Sequence, residues 1–266
     1  MSSPELVALM LADGRLPTGG HTQSAGLEPA VRAGLGADGK QLADVAAYAR
    51  DRLRTVTRVE AAVAVLARHA TLTPAATRPA SPDPVADART PPGSVPDAPP
   101  SRGSWPEKPG EADRNPRLSA GSAELGSRGG VAAAMGEVVS SGLGLVEGAW
   151  AARTPCQVLR AASRRQGRVY LRLTAKVWPE VLRYLQPDGE VARPIVVGVI
   201  GAVTGLSAEQ VARLVAYDDV QTVVAASLKL LPVDPADAAS WLAGTHEDIE
   251  RLVSDEIGRA SCRERV

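Results

Sequence analysis

The stretch RLPTGGHTQSAGLEPAV occupies residues 15–31. It places Gly19 and Gly20 before His21, and Ser24 shortly before Gly26, Leu27 and Glu28. Residues of these types ahead of a helix suit different chemistries. Their backbone amides can cradle a phosphate, a serine can act as a nucleophile, or another protein can read the shaped turn. A P-loop requires GxxxxGK[ST] after a strand, because its lysine reaches the phosphates. Here Gly14 is followed by Gly19, Gly20 and His21, with no lysine and no strand pattern ahead. That excludes a nucleotide loop. A Ser–His hydrolase needs a strand–turn–helix around Ser24 and a placed acid, and closeness of His21 and Ser24 in sequence supplies neither. His21 reads more simply as a turn residue with local hydrogen bonds. The other histidines, His69 and His246, form no HxxxH or HExxH pair, so no transition-metal site is expected within one helix. His69, near a helix end, suits the helix dipole.

Polar runs inside helical patterns carry the remaining chemistry. Arg160, Arg164, Arg168, Arg172 and Lys176 recur every four residues and form a slowly drifting stripe. The plain reading is a solvated outer face; the functional one is a dock for an acidic partner. Tyr217, Asp218, Asp219 and Gln221 interrupt an apolar helix. Adjacent aspartates point about a hundred degrees apart, so Asp218 and Asp219 do not readily share one ion. Such residues face a solvated stripe, a partner or a buried network. TGLSAEQVARLV (204–215) resembles the turn and second helix of a helix-turn-helix, which gives an alternative function as a DNA-binding regulator using residues 195–218. Against it, the helix runs on into acidic and apolar residues rather than presenting positive charge.

The elements that position these residues are helical. An opening helix is expected over 4–13 and a second from near Ser24 to Gly34, with Pro29 tolerable only in its first turn. Residues 40–70 place Leu42, Val45, Ala46, Ala49, Leu53 and Val56 at helical spacing, with Asp38 and Gln41 as a cap and a bend near Thr55–Thr57. Order resumes over 131–152. Thr154-Pro155-Cys156-Gln157 predicts an N-cap, a first-turn proline and a capping box for a helix ending near Trp178 and Pro179. Ser207 with Gln210 predicts another helix to about Leu230, and Asp234-Pro235 a further one. Nothing between them alternates as a strand. The fold class expected is an all-α, single multi-helix bundle.

Residues 73–119 break the pattern, holding 12 of the chain's 21 prolines with Gly, Ser, Asp and Arg between them. Such a segment cannot bury enough apolar surface to offset its ordering entropy, and it reads as a disordered insertion. The helical domain is therefore expected over 1–72 and 120–256. Thirty cations balance 30 carboxylates among 266 residues, a poor balance for general nucleic-acid binding. Phe is absent, so Leu, Val and Ala must build the core. Alanine-rich faces bury little area per residue, which points to stability shared with an oligomer. Two distant cysteines, Cys156 and Cys262, form no disulfide framework and fit a reducing cytosol. The N-terminus lacks the basic start of a signal peptide, and the apolar run at 195–203 is far too short to span a bilayer. A cytoplasmic protein is expected.

LADGRLPTGGHTQSAGLEPAV resembles the N-terminal signature of the UreF urease accessory family, approximately P-x-G-[GA]-x-x-x-S-x-G-L-E. Pro17, Gly19, Gly20, Ser24, Gly26, Leu27 and Glu28 match it. The resemblance, closest to the actinobacterial type with His after the glycine pair, continues through 152–168 and 205–235. It implies an all-helical homodimer that is not an enzyme and holds no cofactor. It also implies that UreD (also called UreH) and the GTPase UreG are partners, and that nickel is delivered by the assembly to apo-urease. Partner-facing residues are then expected at Pro17, Gly19, Gly20, His21, Ser24, Gly26 and Glu28, and on the helix bearing Tyr217, Asp218, Asp219 and Gln221. The chain departs from the family in its proline-rich insertion and in ending EIGRASCRERV. Residues 257–266 resemble a common sequencing adapter read in frame, and are set apart from the fold as an artefact.

Overall fold

A computed structural model describes residues 3–18, 23–36, 43–73 and 130–263, with the backbone alone for 43, 130–141 and 258–263. Every regular element among these residues is helical. The expected cap at Asp38–Gln41 and the proline-rich insertion lie outside them, apart from Thr73.

Helix α1 spans Pro4–Ala12 and α2 spans Leu27–Arg32. Helix α2 is shorter than the sequence suggests, because Ala25 and Gly26 take left-handed backbone and only Leu27 starts the coil. Pro29 then falls in the first turn, where its missing N–H removes no intrahelical bond. The long segment expected over 40–70 is two helices, α3 (Ala43–Arg54) and α4 (Val56–Leu72). The break falls at Thr55, whose hydroxyl donates back to the Asp51 carbonyl at 2.7 Å and whose φ/ψ leave the helical region.

Helix α5 spans Gly130–Arg153 and α6 spans Gln157–Val177. The capping box expected at Thr154 does not form. Thr154 instead closes α5, its N–H donating to the Ala151 carbonyl, and Cys156 occupies the N-cap of α6 without a side-chain bond. The Arg160 guanidinium donates to the Thr154 and Pro155 carbonyls at 2.6 and 2.8 Å, which fixes the joint between the helices. Pro179 opens a short 3₁₀ turn, Pro179–Arg183.

Helix α7 spans Arg193–Thr204 and α8 spans Ala208–Leu230. Between them Gly205 adopts φ 77°, and Ser207 with Gln210 makes the full capping box. Helix α9 (Pro235–Ala243) starts at Asp234, whose carboxylate accepts from the Ala236 N–H at 2.6 Å. Helix α10 spans His246–Arg263, so its backbone runs as helix through residues 257–263.

Helices α4, α7 and α8 form the centre. A Cβ on Gly198 would lie 2.3 Å from the Ala64 carbonyl oxygen, so α7 meets α4 nearly backbone to backbone. A Cβ on Gly201 would meet Val211 of α8 at 2.4 Å. Small residues at these contacts let helices bury their valines and isoleucines closely without a large aromatic residue. Ile195, Val196, Val199 and Ile200 of α7, and Val211, Val215, Val220 and Val223 of α8, are all buried.

Candidate functional site

The opening stretch folds back on itself before it reaches α2. Asp13 clasps Arg15, whose backbone N–H and Nε both donate to one carboxylate oxygen, at 2.9 and 3.0 Å. Thr18 is buried, its hydroxyl donating to the Leu16 carbonyl at 3.4 Å. Pro17 is exposed. Gly19, Gly20 and His21 lie outside the described residues. Ser24 uses its carbonyl to accept the Leu27 N–H at 2.8 Å, which closes a turn ahead of α2.

Ala25 has φ 49° and Gly26 φ 80°. The left-handed region is open to glycine, whereas Ala25 holds it at a steric cost. Tyr48 of α3 fixes this conformation by donating its hydroxyl to the Ala25 carbonyl at 2.9 Å. A Cβ on Gly26 would lie 2.8 Å from that hydroxyl, so the motif glycine has two reasons to be glycine. Leu27 then plugs fully into the core, and Glu28 pairs with Arg32 one turn on at 2.6 Å.

The second group of expected residues sits directly behind this turn. Asp219 is buried and bound at both oxygens by Arg52 of α3, at 2.9 and 2.6 Å, with the Thr57 hydroxyl donating at 2.6 Å. Asp218 binds Arg193, the first residue of α7, and the same guanidinium binds Glu60 of α4. The adjacent aspartates thus tie α8 to different helices, as their angular separation requires. Gln221, one turn further on, packs toward the opening stretch: a Cβ on Gly14 would lie 3.3 Å from its amide nitrogen. Tyr217 is half-buried against the core. The two groups, nearly two hundred residues apart in sequence, meet in the fold.

Electrostatics explain the pairing. Burial opposes ionisation of Asp219, but the charge of Arg52 and the bonds from Arg52 and Thr57 hold its carboxyl below the usual range. Burial also opposes the Arg52 and Arg193 charges, and their carboxylate neighbours more than restore them, so both stay protonated. Burial pushes the Asp218 carboxyl up against the pull of Arg193, with Asp219 and Glu60 adding to the push. The Tyr170 hydroxyl is likewise raised, by burial first and then by Asp218. A cation at a helix N-terminus opposes the dipole, and Arg193 starts α7; Glu60 and Asp218 offset that charge.

Sequence reading missed Tyr48, Arg52, Thr57, Glu60, Tyr170 and Arg193. Arg193 was visible as a lone cation heading the apolar run RPIVVGVIGAV, and a charge in that place needs partners. Arg52 gave no such signal, because ARDRLR reads as an ordinary exposed helix face. The helix-turn-helix alternative at 195–218 is corrected here. The turn exists, but α8 buries Val211, Ala212, Leu214, Val215 and Ala216, and Arg213 is bound to Glu250 at 2.6 and 2.8 Å. The face left exposed at the start of α8 carries Glu209 and an arginine already paired, so it offers no free positive charge to a phosphate backbone. Among the described residues, no three His, Cys, Asp or Glu side chains gather to hold a metal ion, and no helix is long and apolar enough to cross a membrane.

The UreF family model matches residues 130–246, from the start of α5 to the first residue of α10. The urease accessory protein UreF of Mycolicibacterium vanbaalenii is 32% identical over 235 residues, covering 87% of this chain and 76% of that protein. The chain belongs to the UreF family. Urease accessory proteins UreF from Mycobacterium sp. strain JLS and Mycobacterium marinum are similar at 29% and 27% identity, covering 93% and 87% of this chain and 84% and 75% of theirs. These relatives agree with the actinobacterial type expected from the glycine motif. The all-helical bundle expected for UreF is what the described residues form. The residues of the UreF signature that the structure describes shape a turn whose floor is the charged centre of α8.

Proposed function

We propose that this UreF-family chain is a urease accessory scaffold. It bridges UreD and the GTPase UreG so that nickel passes into apo-urease, and it influences the GTPase without catalysing a reaction itself. The similarity to the M. vanbaalenii urease accessory protein along 87% of the chain carries this reading. In it the chain works in the cytoplasm as a homodimer, and nickel is cargo of the assembled complex rather than a resident ion.

Pro17, Gly19, Gly20, His21, Ser24, Gly26 and Glu28 are the partner-contacting residues in this proposal, and those from Ser24 to Glu28 shape the turn described above. Tyr217, Asp218, Asp219 and Gln221 act from beneath, keeping that turn at a fixed height over α8. The neighbouring α1 supports the assignment, because Leu6 and Leu9 are 64% and 68% exposed and Met10 adjoins them. Apolar side chains beside a rigid turn have the composition of an interface core.

Affinity purification from cells making this chain with its cognate UreD and UreG tests the proposal. All three are expected in one complex, and UreG is expected to be lost when this chain is left out. A UreD–UreG complex that assembles as well without this chain would overturn the bridging role.

A further inference from the structure

Helix α6 carries six cations, at 160, 164, 165, 168, 172 and 176, and no carboxylate. Ser163, Gly167, Tyr170, Leu171 and Thr174 are its buried side. At about 100° per residue, Arg165, Arg172 and Lys176 fall within one narrow sector opposite that side, together with Val158. Val158 is 71% exposed, and the three cations are exposed as well.

The cations divide into those used by the fold and those that are not. Arg160 holds the α5–α6 joint. Arg164 binds Glu147 at 3.1 Å and lies 5.5 Å from the centre of the Trp150 ring. Arg168 reaches Glu190 at 2.5 Å. An open groove of about 390 Å³ runs along these residues, lined by Gln157, Arg160, Arg164, Arg165, Arg168 and Glu190. Arg165, Arg172 and Lys176 meet no carboxylate among the described residues.

Several exposed arginines on other helices pair with a carboxylate, although Arg153 and Arg183 meet none among the described residues. Arg32 pairs with Glu28, Arg213 with Glu250 and Arg251 with Asp248. A solvated helix face is stabilised by alternating signs at i, i+4, and like charges there cost about 0.2–0.5 kcal/mol per pair. Helix α6 repeats like charge at 164/168, 168/172 and 172/176. Its outer face is therefore self-repelling in isolation, and it adds an exposed valine where solubility needs none. A partner bringing carboxylates would relieve the repulsion, and an apolar side chain between them would cover Val158.

We propose that the outer face of α6 docks an acidic segment of a protein partner, one that carries apolar side chains between its carboxylates. Arg165, Arg172 and Lys176 supply the charge contacts, and Val158 the apolar one. This surface is separate from the opening turn and does not depend on the maturation reading. The chain's overall neutrality and the lack of exposed aromatics on the stripe favour a protein segment over nucleic acid.

The test uses the full chain and a fluorescent peptide that alternates glutamates with leucines, read by anisotropy. Binding is expected to weaken as salt is raised. R165E/R172E/K176E should weaken it by about tenfold or more at low salt, given the size of close charge-pair contributions. V158S should weaken it by a few-fold without changing the salt dependence. Circular dichroism checks that the helical content of each variant is unchanged. R165Q/R172Q/K176Q removes the charge with less perturbation, so a fold defect in the reversal variant leaves the proposal testable. Unchanged peptide binding in a folded variant would overturn it. So would equal affinity for duplex DNA, which would make the face a general polyanion surface.

Discussion

Helices α6 and α8 both carry charge in runs that a helical pattern does not need. In the middle of α8, Asp218 and Asp219 turn inward and each meets an arginine from another helix. On α6, Arg164 and Arg168 meet an acid, Arg160 caps backbone carbonyls, and the three outermost cations meet no acid among the described residues. A buried charge commits the helices around it to one arrangement, because each ion left without its partner is costly. An exposed charge commits nothing in the fold and stays available to other molecules. The centre of α8 therefore reads as the part that sets the height of the UreF turn, and α6 as a surface free to recruit.

The largest effect expected from this contrast follows Arg193→Met. It leaves the part-buried Glu60 and Asp218 without their cation and should cost up to about 3–5 kcal/mol of stability. Urea unfolding measures it, and a loss below about 1 kcal/mol would mean that the network does not hold the helices. Replacing Glu60, Arg193 and Asp218 together by apolar residues of similar size should recover much of the loss, since the desolvation cost disappears with the charges.

Next comes Gly26→Ala, which probes the turn resting on that network. The new Cβ must take φ 80° and push against the Tyr48 hydroxyl. A cost of about 1–2 kcal/mol is expected from the left-handed backbone alone. Weakened co-purification with UreD should accompany it. A variant that keeps full stability would show that the turn does not depend on its contact with α3.

A smaller effect concerns pH. Asp219 has its carboxyl held below its value in the unfolded chain, so its contribution is complete above about pH 4 and fades as pH falls through the depressed value. Asp219→Asn should lower stability at neutral pH and flatten the acid limb below about pH 4. An acid limb as steep as in the unmodified chain would place the sensitive carboxylate elsewhere.

The smallest effect has the opposite sign. Arg172→Gln removes repulsion from Arg168 and Lys176 and should raise stability by a few tenths of a kcal/mol, roughly 0.3. Thermal unfolding at low salt reads it. A clear loss would reveal a structural role for Arg172 and erase the contrast with Arg193.

Part of this architecture is legible in the sequence because it is locally encoded. The Ser207–Gln210 box and the Asp234 cap need only a few neighbouring residues, and both form as expected. Thr154 offers the same letters, but the chain uses it to end α5, and Arg160 from the following turn satisfies the exposed carbonyls. That choice depends on where α5 stops, which no local pattern states. The signature at 17–28 and the polar run at 217–221 are each visible alone. Their meeting is not, because Arg52, Glu60 and Arg193 come from three other helices, and charge periodicity does not say which side of a helix faces its neighbours. The same limit explains why the sequence does not show that the cations of α6 face outward while the aspartates of α8 face inward.

The most direct test of the central claim is the nickel content of urease made with its full accessory set, with and without this chain. The account predicts nickel-loaded, active urease only when the chain is present, and recovery on adding it back. Urease that loads nickel equally well in its absence would contradict the account.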